Sequence, residues 1–126
     1  MTTKQQHTLL YIEDNEANRQ LIKLVLGHRP NIIALFAHDG SSGIEVAKSQ
    51  LPDLILTDIN LPDINGYDIL SELKSTPATA DIPIIALSGD LPSKTQTDNH
   101  FQFDKYLSKP INLTSLFDML DEFLDT

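Results

Sequence analysis

The chain has 126 residues, of which 9 are Lys or Arg and 18 are Asp or Glu, so its formal net charge is −9. This length fits one domain of common size, and the absence of cysteine excludes disulfides, thiolate zinc sites and cysteine nucleophiles. The acidic balance argues against direct binding to nucleic acid, and no apolar stretch is long enough to span a membrane. Because the first residues also lack the apolar run of a signal peptide, we expect a cytoplasmic protein without membrane insertion.

The first half of the chain alternates two kinds of segment. Short apolar runs predict strands at Thr8–Ile12, Ile32–Ala37 and Asp53–Thr57. After the first run, Asn15 is a candidate N-cap and Gly27 a stop for a helix whose predicted inward face is Ala17, Leu21, Leu24 and Val25. After the second run, residues 41–49 predict a shorter helix that faces inward with Ile44 and Ala47.

The second half continues the alternation. Residues 65–75 predict a helix with the inward face Tyr67, Leu70 and Leu73. Two further strands are predicted, at Ile82–Ser88 and, more weakly, at Lys105–Ser108. A last helix behind Asn112 carries the apolar stripe Leu113, Leu116, Phe117, Leu120 and Leu124. Strand–helix alternation of this kind predicts an α/β fold, a parallel sheet with helices on both faces.

In open sheets of this kind, ligands bind beyond the carboxyl ends of the strands. The residues found there are Glu13, Asp14, Asp58, Ser88 and Lys109. Three neighbouring carboxylates repel one another unless a cation bridges them or one takes up a proton. Carboxylate oxygens of this kind suit Mg²⁺ or Mn²⁺. The alternative interpretation, that Glu13 and Asp14 only favour the N-terminus of the first helix, leaves Asp58 unexplained.

Asp58 follows the most apolar run, where a solvated charge is least expected. Beside a divalent ion, an aspartate can attack phosphorus and form an aspartyl phosphate. Ser88 could then donate to one phosphoryl oxygen, and the Lys109 ammonium could neutralise another. Taken singly, such a serine is usually a turn residue and such a lysine is usually solvated, but their combination at four strand ends favours a shared site.

These motifs, in this order, resemble the response-regulator receiver domain of two-component signalling, both the chemotaxis-regulator type and the receiver modules of hybrid histidine kinases. The resemblance runs from Leu9 to Leu124, and the segments that carry it are Tyr11–Asn15 (YIEDN), Leu54–Asp68 (LILTDINLPDINGYD), Ile84–Asp90 (IIALSGD) and Lys105–Pro110 (KYLSKP). It implies a flavodoxin-like, doubly wound sheet of five parallel strands in the order 2-1-3-4-5, with about five helices. We therefore expect a flexible tail over residues 1–7 and one receiver domain over residues 8–126.

The resemblance also implies a role for each residue at the strand ends. Asp58 corresponds to the phosphoacceptor and Lys109 to the lysine of the site, whose bond to Pro110 would be cis. Ser88 and Tyr106 correspond to the hydroxyl and aromatic switch residues. The implied ligands of Mg²⁺ (or Mn²⁺) are Glu13, Asp14, Asp58 and the backbone carbonyl of Asn60.

Two positions near the site are expected to tune the lifetime of the phosphoryl group. Asn60 and Asp90 each lie two residues beyond a site residue, beside the route of an attacking water molecule. The chain departs from the family over residues 91–102, which are mostly polar and carry Gln102 where glycine is usual. Because nothing there anchors an apolar face, we expect a short or irregular fourth helix. Output or dimerisation through that face is therefore in question.

The implied function is that of a phosphoacceptor: Mg²⁺-dependent phosphoryl transfer from phosphohistidine to Asp58 switches a protein-interaction surface. The implied partners are a histidine kinase or histidine phosphotransfer protein and a downstream protein target, and we expect a monomer or weak homodimer. The chain would not be an enzyme beyond catalysing its own phosphorylation and dephosphorylation. Two alternatives stay open: a receiver-like binding module that signals without phosphate, and a Mg²⁺-dependent aspartyl-nucleophile phosphatase, which would favour a second acid where Asn60 stands.

Overall fold

In a computed structural model of the protein, which describes residues 6–89 and 102–124, five parallel strands form one sheet. The strands are β1 (His7–Ile12), β2 (Ile32–Ala37), β3 (Leu54–Asp58), β4 (Ile84–Ser88) and β5 (Lys105–Ser108). Their order, β2-β1-β3-β4-β5, confirms the predicted topology. β1 starts inside the tail predicted for residues 1–7, because the backbone N–H of His7 donates to Asn31 and His7 pairs with Ile32.

Four helices lie within the described residues: α1 (Glu16–Leu26), α2 (Gly40–Gln50), α3 (Gly66–Lys74) and α4 (Leu113–Leu124). A side-chain oxygen just before each helix accepts a backbone N–H of its first turn, and these caps are Asn15, Asp39, Asn65 and Asn112. The count is one fewer than predicted; the predicted irregular helix falls almost entirely in residues 90–101, which lie outside the described residues. None of the four helices is long and apolar enough to cross a membrane.

The sheet is covered on both faces. Along β1, Leu9 and Tyr11 belong to a core with α1 and α4, while Leu10 and Ile12 belong to a core with α2 and α3. All four side chains are fully buried, and a buried Leu or Ile contributes about 1.5–3 kcal/mol relative to an exposed one. A shift of one residue along β1 would exchange the two faces, so this burial fixes the strand register and with it the position of the strand ends.

The predicted inward face of α1 was wrong except at Val25. The helix buries Ile22, Val25 and Leu26, whereas the side chains of Leu21 and Leu24 are 47% and 74% exposed. Five of the six residues from 21 to 26 are apolar, so helical spacing fits two stripes that share Val25. The tertiary contact with β1 and β2 decides between them, and that contact is not visible in the local sequence.

Candidate functional site

Three carboxyl groups meet at the carboxyl ends of β1 and β3. These strands are neighbours, and Ile12 pairs with Thr57, so the residues that follow in each strand emerge side by side. Glu13, Asp14 and Asp58 each offer one oxygen, and these oxygens all lie within 4.8 Å of one another. Glu13 and Asp58 are buried, while Asp14 is exposed. Strand register thus creates an acidic pocket, a name used below for these three side chains.

Lys109 supplies the positive charge of the acidic pocket. Its Nζ lies 2.6 Å from Asp58 Oδ2 and 3.2 Å from Glu13 Oε1. The residue follows β5 directly, and its backbone N–H donates to the Ser88 carbonyl at 2.9 Å. The Lys109–Pro110 peptide bond is cis, the isomer that the resemblance implies. Burial works against the ammonium, but the hydrogen bond and charge of Asp58 and the charge of Glu13 outweigh it and raise the pKa of Lys109.

Glu13 is the most enclosed acid of the pocket, with 1% of its surface exposed. Its Oε1 accepts the Tyr11 hydroxyl at 3.1 Å, and its Oε2 accepts the backbone N–H of Asn15 at 3.2 Å. Burial alone would raise the pKa of Glu13, but the Asn15 N–H and the Lys109 ammonium lower it below its ordinary value. Glu13 is therefore a carboxylate at neutral pH.

Tyr11 is a site residue that the sequence interpretation missed. Burial and the adjacent Glu13 raise the pKa of Tyr11, so its hydroxyl stays protonated and donates to the carboxylate. The signal was available, because residues two apart on a strand point to the same face and Tyr11 stands two before Glu13. Arg19, whose Nη1 donates to the Glu13 backbone carbonyl at 2.7 Å, gave no comparable signal.

Both oxygens of Asp58 are held. Oδ2 accepts from Lys109, and Oδ1 accepts the backbone N–H of Asn60 at 3.2 Å. Asp58 is the last residue of β3 and only 5% exposed, so the strand and these two donors fix its orientation. Asn60 is itself exposed and begins the loop that leads to α3.

The two predicted switch residues lie on the neighbouring strands. Ser88 is the half-buried last residue of β4, one position beyond the Leu87 that pairs with Asp58. Tyr106 is half-buried in β5, and its hydroxyl lies 3.4 Å from that of Tyr67 in α3. Burial and this hydrogen bond raise the pKa of Tyr106 to about 12. Asp90, the second predicted lifetime-tuning residue, lies outside the described residues.

The acidic pocket has the donor chemistry of a magnesium or manganese site. It presents carboxylate oxygens alone, from three side chains that repel one another, which is the ligand set that hard divalent cations prefer. Within residues 6–89 and 102–124 it is the one group of three or more His, Asp or Glu side chains close enough to share a metal ion. These residues therefore fit such an ion.

Comparison with known proteins defines the class. Residues 9–121 match the sequence profile of the response regulator receiver domain, so the chain belongs to that family and is a receiver domain of two-component signalling. The aerobic respiration control sensor protein ArcB of Escherichia coli is 34% identical over 94% of this chain, and the autoinducer 1 sensor kinase/phosphatase LuxN of Vibrio harveyi is 33% identical over 96% of it. The chain spans only 15% and 14% of the lengths of those two proteins.

Solved structures agree with this assignment. The receiver domain of a sensor histidine kinase from Pseudomonas aeruginosa, which has a magnesium ion coordinated in its active-site cleft, superposes with a TM-score of 0.83 and is 26% identical. The superposition covers 96% of this chain and 99% of that one. The Mn²⁺-bound form of response regulator Rcp1 superposes with a TM-score of 0.75 at 27% identity, covering 95% of this chain and 96% of that one.

Proposed function

We propose that this receiver domain is a phosphoacceptor whose Asp58 takes a phosphoryl group from phosphohistidine in a reaction that depends on Mg²⁺ or Mn²⁺. The observation that carries the proposal is the meeting of Glu13, Asp14, Asp58 and Lys109 in one pocket. The residues that would hold the ion are the three acids together with the backbone carbonyl of Asn60. An ion bound there supplies positive charge against the incoming phosphoryl group.

The side chains already present account for the remaining chemistry. An oxygen of Asp58 attacks phosphorus, the phosphorus–oxygen bond forms, and the phosphorus–nitrogen bond of phosphohistidine breaks with its electron pair leaving on the imidazole, which takes a proton from solvent. Lys109, held 2.6 Å from Asp58, neutralises charge on the group being transferred. Catalysis is then mostly positioning, so the domain catalyses its own phosphorylation and dephosphorylation and no separate turnover reaction.

The response to phosphorylation starts at Ser88 and Tyr106. The Ser88 hydroxyl donates to a phosphoryl oxygen, and the Tyr106 ring moves into the space beside it, so that a local change of charge alters the surface around β5. The observation that supports this path is the register, which puts Ser88 beside the Asp58–Leu87 pair and Tyr106 next to Ala86 of the same strand. Asn60 and Asp90 tune the lifetime of the phosphoryl group.

The donor is a histidine kinase or histidine phosphotransfer protein, and the modified surface binds a downstream protein target. Because phosphohistidine donors are made with ATP, we infer a cytoplasmic location. We also expect the domain to be a monomer or weak homodimer. The net charge of −9 predicts that partner surfaces are basic or apolar. Two exposed leucines of α1, Leu21 and Leu24, offer an apolar contact on this helix, and Leu21 lines the same cavity as Lys109.

The test is incorporation of phosphate from a small acyl phosphate and from a phosphorylated histidine phosphotransfer protein, with and without Mg²⁺. We expect one Mg²⁺-dependent phosphoryl group per chain, lost in Asp58→Asn and kept in the control Asp81→Asn, since Asp81 is exposed. Beryllofluoride with Mg²⁺ should cause a stable conformational change in the unchanged protein, seen as shifts in its amide NMR spectrum. The same addition should leave the spectrum of Asp58→Asn unchanged. Release of many equivalents of phosphate would instead indicate a phosphatase, and neither incorporation nor a shift would indicate a module that signals without phosphate.

A further inference from the structure

Asp63 joins the loop between β3 and α3 to a helix from a distant part of the chain. Its Oδ1 accepts the backbone N–H of Gly40 and its Oδ2 accepts that of Ser41, both at 2.8 Å. Gly40 and Ser41 are the first two residues of α2. The backbone N–H groups of Ser41 and Gly40 hold the pKa of Asp63 far below its ordinary value, so the carboxylate is charged at neutral pH and both bonds are charge-assisted.

The helix and the loop also touch sterically at this point. A Cβ added to Gly40 would lie 2.2 Å from Cγ1 of Ile64 and 3.1 Å from Asp63 Oδ1, so only glycine allows this approach. The loop is therefore pressed against α2 as well as hydrogen-bonded to it.

Capping of α2 does not by itself require Asp63. Asp39 is the N-cap of this helix, and its side chain accepts the Ser42 N–H at 2.8 Å. A second carboxylate, brought from 23 residues along the chain, adds repulsion with Asp39. The Ser42 N–H still holds the pKa of Asp39 below its ordinary value, and the charge of Asp63 works against that lowering. The arrangement is understandable if the two bonds serve the loop that contributes Asp63.

That loop contains Asn60, and the loop is held by a hydrogen bond at each of its two ends. The Asn60 N–H donates to Asp58 Oδ1 at 3.2 Å, and the loop is closed by the Gly66 N–H, which donates to the Ile59 carbonyl at 2.7 Å. Between these fixed points, the carboxylate of Asp63 is the group that ties the segment from 61 to 65 to a distant part of the chain by hydrogen bonds. Asp63 therefore restrains the part of the loop that follows the Asn60 carbonyl.

We propose that Asp63 is a positioning residue for the metal and phosphoacceptor site: by tying the loop to α2, it fixes the Asn60 carbonyl in the direction of the acidic pocket. The inference rests on the proposed function, in which that carbonyl is a ligand of the ion. Groups that orient metal ligands commonly change metal affinity by about 10–100-fold when they are removed. One carbonyl among several ligands places the expectation at the lower end, about tenfold.

The experiment compares Asp63→Asn with Asp39→Asn in the full chain. Asparagine at 63 keeps the size but has one acceptor oxygen, and its NH₂ group faces an N–H, so one of the two bonds is lost. Asparagine at 39 remains a good N-cap. Both substitutions remove one negative charge beside the same helix N-terminus, so they match in long-range electrostatics. Binding of Mn²⁺ is followed by the loss of the free-ion EPR signal at about 0.15 M salt, where the Debye length is about 8 Å.

We expect Asp63→Asn to weaken Mn²⁺ binding about tenfold and Asp39→Asn to change it less than about twofold, while both shift the urea midpoint by a similar small amount. Equal Mn²⁺ affinities in the two variants would overturn the inference and leave Asp63 as a second helix cap. If Asp63→Asn does not fold, Asp63→Ser, which keeps one acceptor, replaces it under the same criterion. If the unchanged protein binds no Mn²⁺ and takes up no phosphate, the proposed function itself fails, and this inference with it.

Discussion

Replacing Lys109 with methionine would remove the ammonium from the acidic pocket while keeping a side chain of similar length. That ammonium lies 2.6 Å from Asp58 and 3.2 Å from Glu13, two acids that are at most 5% exposed. Removing one partner of a buried ion pair costs about 3–5 kcal/mol, because the remaining charge stays buried without compensation. Since the Lys109 side chain is 26% exposed and partly screened by water, we expect a loss at the lower end, about 3 kcal/mol at pH 7.

The pKa shifts of Lys109 and Glu13 determine how the stability of the unchanged protein depends on pH. The pKa of Lys109 is raised in the folded protein, so its contribution is full below its ordinary pKa and is lost as the pH rises through the raised value. The pKa of Glu13 is lowered, so its contribution is present above the ordinary carboxyl pKa and is lost as the pH falls through the lowered value. Between pH 5 and 7, neither group should change the stability of the unchanged protein much.

In Lys109→Met, the pKa of Glu13 should lie above its ordinary value instead of below it. Burial, which raises its pKa, then acts with less opposition, and the neighbouring carboxylates add repulsion. Uptake of a proton relieves both effects in the folded state, so the variant should gain stability as the pH falls from 7 to 5. Binding of Mg²⁺ to the folded state should have the same effect at pH 7.

The assay is urea unfolding followed by far-UV circular dichroism at pH 7 and pH 5, with and without Mg²⁺. Lys105→Met is the control, because Lys105 pairs with the exposed Glu122 at 3.1 Å and such surface pairs contribute at most about 1 kcal/mol. If Lys109→Met costs no more than Lys105→Met, or if it loses stability between pH 7 and pH 5, the acidic pocket is not the buried, charge-coupled site argued above.

Three further substitutions test separate parts of the structure. Gly40→Ala should destabilise the fold by about 1–3 kcal/mol through its clash with Ile64, whereas Gly89→Ala, which meets nothing within 4 Å, should not change the urea midpoint. Tyr11→Phe removes the hydroxyl that donates to a buried carboxylate, which should cost about 1–3 kcal/mol in urea unfolding; an unchanged midpoint would contradict that hydrogen bond. Leu24→Asn should change the free energy of unfolding by less than about 0.5 kcal/mol, because this side chain is exposed. It should slow phosphotransfer from a protein donor without affecting phosphorylation by a small acyl phosphate. Slowing of both reactions would count against an apolar contact with the donor.

The architecture was predictable because its signals are local. Each strand is a short apolar run between turn residues, and the runs at Ile32–Ala37 and Lys105–Ser108 match β2 and β5 residue for residue. The cap Asn15 was identified because a side chain that accepts a hydrogen bond just before an apolar periodic segment needs no tertiary information. Once parallel strands are inferred, their carboxyl ends share one edge, and the acids and the lysine that follow them are brought together.

What the sequence did not reveal depends on contacts between distant segments. The inward face of α1 is set by its packing on the sheet, because an almost continuous apolar segment has no unique stripe. The Asp63 contact with α2 joins residues that are 23 and 22 positions apart, and nothing near Asp63 distinguishes it from an ordinary loop acid. The hydroxyl pair of Tyr67 and Tyr106 spans 39 positions and depends in the same way on helix–sheet packing.

The acidic pocket carries more negative charge than the chain itself neutralises. It brings Glu13, Asp14 and Asp58 within 4.8 Å of one another, and the one lysine that pairs with Glu13 and Asp58 carries a single positive charge. The remaining excess of negative charge should favour the binding of a divalent cation to the folded state over the unfolded state. A cation at 100 times its dissociation constant would add about 2.7 kcal/mol, a sizeable fraction of the 5–15 kcal/mol typical of a domain. Replacing the acids with amides should therefore remove the stabilisation that Mg²⁺ gives the folded protein, which urea unfolding with and without Mg²⁺ measures.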